Sequence, residues 1–101
     1  MDSRFGSADL ALAQSHQIKA KESWAKKDSV RTGDEMNAGA LFLEQSAHWT
    51  GSEAQAGVSA VVRDTRMLAG KLTEGSKYAV DEVGKGIDDL GKAVSDVGRK
   101  A

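Results

Sequence analysis

The run from Val80 to Lys100 constrains this chain more than any other stretch. It divides into consecutive sevens: Val-Asp-Glu-Val-Gly-Lys-Gly, Ile-Asp-Asp-Leu-Gly-Lys-Ala and Val-Ser-Asp-Val-Gly-Arg-Lys. With each seven written abcdefg, position a is Val80, Ile87 and Val94, and position d is Val83, Leu90 and Val97. Position e is glycine in every seven (Gly84, Gly91, Gly98), and f is always basic (Lys85, Lys92, Arg99). Apolar residues alternating three and four apart fall on one stripe of an α-helix, because a turn takes 3.6 residues. The segment reads as a helix shaped to lie against other helices.

Its glycines set an energetic problem. Each glycine in a helix interior costs about 1 kcal/mol relative to alanine. Gly84, Gly86, Gly91 and Gly98 together should oppose this helix by about 3–4 kcal/mol. The correctly oriented pairs Asp81–Lys85 and Asp88–Lys92 return only ~0.3–0.5 kcal/mol each. Alone in water the segment should be mostly unfolded, so a neighbouring helix must supply the difference. Glycine at e, beside the a/d stripe, would let that neighbour approach to the lower end of the usual ~8–10 Å range. The seam expected to make contact is therefore Val80, Val83, Gly84, Ile87, Leu90, Gly91, Val94, Val97 and Gly98.

Gly70-Lys-Leu-Thr-Glu-Gly75 is similar to the Lys-Thr-Lys-Glu-Gly segments of synucleins and late-embryogenesis proteins. Those families use an eleven-residue period, whereas residues 80–100 keep a period of seven. Period decides supercoil geometry, so the likeness assigns no family.

Length and composition bound the rest. A chain of 101 residues is one domain at most and buries about 60–65% of its unfolded surface. Much of its hydrophobic content is alanine and valine, and two Trp, two Phe and one Tyr are its whole aromatic complement, so the core must be thin. Proline is absent and no Asn-Gly or Asp-Gly hairpin signal occurs, which points to an all-α protein. Charged residues make up 29% yet leave a net charge of −1, a balance that gives no ground for nucleic acid or anionic membrane as a partner. With no cysteine there is no disulfide, thiol nucleophile or thiolate metal site. No apolar run approaches the ~20 residues that span a bilayer, and the first residues lack the apolar core of a secretory signal. A soluble chain is expected, with its compartment open, since a removed signal is compatible with this text.

In chain order, residues 1–6 are expected to be disordered and 7–101 to form the single domain. A first helix is expected from Ser7 or Asp9 to about Val30, with Leu10, Ala11, Gln14, Ile18, Lys21 and Ala25 on its broad side. An internal repeat follows: Thr32-Gly-Asp-Glu-Met-Asn-Ala-Gly-Ala matches Thr50-Gly-Ser-Glu-Ala-Gln-Ala-Gly-Val, eighteen residues on. Each copy opens with a Thr-x-x-Glu capping box, and Ser52-x-x-Gln55 offers another. Two helices are thus expected, Asp34 to Trp49 and Ser52 to Glu74, broken at Thr50-Gly51-Ser52. The competing reading is one helix over 34–74, because eighteen residues is a whole number of turns. The small pairs Ala38-Gly39, Ala56-Gly57 and Ala69-Gly70 are candidate close crossings. Gly75 stands where a C-terminal cap belongs and Ser76 where the last helix would be capped.

Chemistry is thinly represented. Glu44-x-x-x-His48 puts two ligands on one helical face, and His16 could complete a zinc or iron site from a neighbouring helix, with Glu22 and Glu53 as further candidates. The duplicated Glu-x-x-His of bundle di-iron proteins does not occur. No nucleophile elbow or phosphate loop is present, since Gly84-Lys85-Gly86 lies inside the heptad run. Trp24 and Trp49, near helix ends, are expected to plug the ends of a bundle. A lipid-surface helix of stress-protein type is weakened by the narrow stripe of residues 80–100 and its balanced charge. The expectation is an antiparallel four-helix bundle, or three helices if 34–74 is continuous. Functionally it is a non-enzymatic interaction or scaffold protein, joined to another protein or to itself through the glycine-flanked seam. A metal- or small-ligand-binding bundle is the first alternative.

Overall fold

The computed structural model describes residues 3–100, with side chains from Gly6 onward. It is an antiparallel bundle of four helices: α1 (Ser3–Ala25), α2 (Ser29–Thr50), α3 (Ser52–Glu74) and α4 (Val80–Lys100). Residues 3–6, expected to be disordered, belong to α1; residues 1 and 2 lie outside the described residues. Gly6 is buried, and its carbonyl accepts a hydrogen bond from the Ser46 hydroxyl at 2.9 Å.

The first connection departs from expectation. α1 stops at Ala25, not Val30, because Lys27 takes a left-handed conformation with φ 61°. The Lys27 amide donates to the Trp24 carbonyl and the Asp28 amide to the Ser23 carbonyl, both at 3.0 Å. That pair of bonds is the Schellman arrangement, here formed without the glycine that usually announces it. Asp28 then caps α2, its carboxylate accepting from the Arg31 amide at 3.1 Å. The box expected at Thr32–Glu35 is not made. Thr32 already lies inside the helix, buried, and its hydroxyl donates to the Asp28 carbonyl at 2.7 Å.

The break between α2 and α3 falls at Gly51, so the continuous 34–74 helix does not form. Gly51 has φ 140° and ψ 174°, a region essentially closed to residues with a β-carbon. It caps α3 without any side-chain hydrogen bond. Thr50 turns its hydroxyl back to the Ser46 carbonyl, and the Gln55 amide bonds His48, so neither box of the second copy is made. α3 ends where expected: Gly75, φ 75°, donates its amide to the Lys71 carbonyl. Ser76 is not the next cap, since α4 begins at Val80.

α2 lies between α1 and α3, whose backbones stay apart, and α4 packs over all three, less closely than α2 packs its neighbours. One core cluster gathers Leu43, Val58, Val62, Leu90, Val94 and Val97. The other, towards the α1–α2 connection, gathers Ala20, Met36, Leu68, Leu72, Val83 and Ile87, with Trp24 and Tyr78 against it. Trp24 meets Tyr78 edge-on at 6.2 Å, and the Tyr78 and Ser29 hydroxyls are 3.0 Å apart. Trp24 thus closes its end of the bundle, whereas Trp49 is 37% exposed. No helix among the described residues is long and apolar enough to cross a membrane.

α2 and α3 cross closely at Gly33. A β-carbon on Gly33 would lie 2.8 Å from both the Ala69 carbonyl oxygen and the Thr73 methyl. Gly39 makes the α2 crossing foreseen at Ala38-Gly39, where a β-carbon would come within 3.0 Å of Leu90. At Gly70 a β-carbon would meet nothing within 4 Å, and at Gly57 only the Lys100 ammonium.

Candidate functional site

On α4 the a and d side chains of Val83, Ile87, Leu90, Val94 and Val97 are buried on the layer formed by the other helices. Val80, the first of the a row, stays 65% exposed. The stripe visible in the sequence is therefore occupied by the chain's own core, save at its leading end. The e glycines differ among themselves. A β-carbon on Gly84 would meet nothing within 4 Å, one on Gly98 would lie 3.3 Å from a Leu10 methyl, and one on Gly91 would lie 2.9 Å from the Gln17 amide nitrogen. An equally close approach occurs at the g position, where a β-carbon on Gly86 would be 2.9 Å from a Leu68 methyl.

Gly91 has a local use. Because it lacks a side chain, the Gln17 amide reaches across from α1 and donates to the Ile87 carbonyl at 3.1 Å. This is the one side-chain hydrogen bond that joins α4 to another helix among the described residues. The f residues Lys85, Lys92 and Arg99 are exposed. The expected pairs Asp81–Lys85 and Asp88–Lys92 are not closed; the ion pair within α4 is Arg99–Asp96.

Between α3 and α4 runs an open groove of about 300 Å³. Val61, Thr65, Leu68 and Gly86 line it, Met67 stands exposed beside it, and charges of both signs border it, Lys71 and Lys85 among Asp64, Glu82 and Asp89. Residue spacing does not announce this groove, because its walls come from two different helices.

His16, Glu44 and His48 are not brought together. Among the described residues no three His, Asp or Glu side chains gather closely enough to hold a metal ion. His16 instead places Nδ1 2.7 Å from Glu35 Oε2 and lies parallel to the Phe42 ring, centroids 5.6 Å apart. This clasp fixes α1 to α2 at mid-height. His48 sits near the far end of α2, its Nδ1 3.0 Å from the Gln55 amide and its ring edge-on to Trp49. Glu44 shares with His48 a shallow depression that also includes Gln45 and Trp49. Glu35, expected in a capping box, is instead the partner of His16, a pairing that residue spacing does not announce. Every buried side-chain nitrogen and oxygen among the described residues has a hydrogen-bond partner.

Fold and surface together define a small antiparallel four-helix bundle whose last helix is its most sharply amphipathic element. Compared with protein-family models, with curated proteins and with solved structures, the chain finds no significant match.

Proposed function

We propose that this chain is a non-enzymatic helical scaffold that works by self-association, with α4 as its interaction element. One observation carries the reading: α4 combines a continuous apolar stripe with glycine at every e position. Such a helix has little stability of its own and takes its order from the surface on which it lies. Helix-in-groove recognition elements have that physical form, with apolar anchors three and four residues apart. The way α4 is held agrees, since its attachment rests on apolar contact and the Gln17 hydrogen bond, with no ion pair to another helix among the described residues. The separated histidines and the satisfied buried polar groups give a metal or ligand reading no comparable support.

Sedimentation over a wide concentration range tests the proposal. A species heavier than one chain should grow with concentration, and a single-chain species throughout would contradict it.

A further inference from the structure

We infer that the partner is a second copy of this chain and that the two copies exchange α4, each laying its last helix on the α1–α2–α3 layer of the other. This deepens the self-association reading and rests on it. The receiving surface needs no invention. Val83, Ile87, Leu90, Val94 and Val97 already fill a surface on the layer, and a second copy presents the same surface. Exchange therefore preserves the apolar contacts and changes only the course of the connection, which is why swapping is a low-cost route to a closed two-fold pair.

Three features of the chain favour release and capture of α4 as a unit. Its glycines leave it little helicity once undocked. Only one side-chain hydrogen bond from another helix to α4, Gln17 to the Ile87 carbonyl, must break, together with the Ser29–Tyr78 bond in the connection. It is joined to α3 by a single connection, residues 75–79, that turns at Gly75 with φ 75°. Straightened, those residues reach roughly 17 Å, more than the ~10 Å between packed helices. Tyr78 meets Ser29 and Trp24 in the closed form and must part from them as the connection straightens, with the turn at Gly75 and the joint at Ala79 as its hinges. Val80 lies just beyond that joint and is the one a-row residue left uncovered. In an exchanged pair the two connections cross at that place, and Val80 gains a neighbour.

The chain has no cysteine, so introduced thiols report cleanly. Gln17→Cys and Gly91→Cys face each other across α1 and α4, where a Gly91 β-carbon would lie 3.2 Å from the Gln17 side-chain amide carbon. The double variant, held at high concentration and oxidised, should give a two-chain band on a denaturing, non-reducing gel, while sedimentation shows a dimer. A dimer in sedimentation with links only inside single chains overturns the exchange and leaves self-association standing. Single chains by both methods overturn both. Gly75→Val in the otherwise unaltered chain is the independent check, because a β-branched residue resists the left-handed turn that the closed form needs. Because both hinges of the pair open, it should lower the dimer dissociation constant roughly a hundredfold, and an unchanged or raised constant would overturn the exchange.

Discussion

Two glycines of this chain should respond to the same substitution in opposite directions. At Gly33 an added methyl would strike the Ala69 carbonyl oxygen and the Leu72 β-carbon, both anchored to backbone. Gly33→Ala should therefore destabilise the protein by about 1–3 kcal/mol through overpacking. At Gly84 the same methyl meets nothing within 4 Å, so only the helix propensity changes. Gly84→Ala should stabilise by about 0.5–1 kcal/mol. Urea unfolding of both variants measures this as opposite shifts in midpoint at an unchanged slope. The sequence marked the heptad glycines as the close-packing positions because they recur in register. Of these Gly84 lies open, while Gly91 meets Gln17 and Gly98 meets Leu10. Gly39 was marked by the small pair Ala38-Gly39, but the neighbours of Gly33 come from α3 and leave no mark in local sequence. The histidines follow the same logic. Glu44 and His48 share a face by spacing alone, whereas the contact between His16 and Glu35 depends on how α1 lies along α2.

Helix ends were legible where a glycine or a change of period marked them. α3 and α4 have the boundaries that the pattern implies, and the break at Gly51 follows from a conformation that only glycine adopts readily. The first connection was hidden because Lys27 performs a turn that glycine usually makes. Thr32 and Thr50 mimicked caps but spend their hydroxyls on carbonyls of the preceding turn. The one available signal was Asp28-Ser29, a capping residue ahead of a helix-forming run. Asp28→Ala should cost about 1 kcal/mol by freeing the Arg31 amide. Lys27→Gly should stabilise by about 1 kcal/mol, since glycine enters the left-handed region without a β-carbon penalty. Thermal or urea melts of these two variants, again opposite in sign, check that the α1–α2 connection is built as described.

At the scale of the whole molecule the all-helical bundle followed from the absence of proline, the absence of hairpin signals and the heptad run. Less legible was the unequal attachment of its parts. α2 grips α1 and α3 closely, through Gly33 and the His16–Glu35 clasp, whereas α4 rests on the layer largely by apolar contact, Leu90 against Gly39 included. A molecule assembled in this way should open in stages, because cooperative units with fewer fixed contacts exchange at lower free energy. Amide hydrogen exchange of the intact protein tests this most directly. Residues 80–100 should be protected, yet open as a unit while the α2 amides stay protected, and Gly84→Ala should slow exchange in α4 alone. Exchange of residues 80–100 at the rate of a denatured peptide, or only in the same step as α2, would contradict the account.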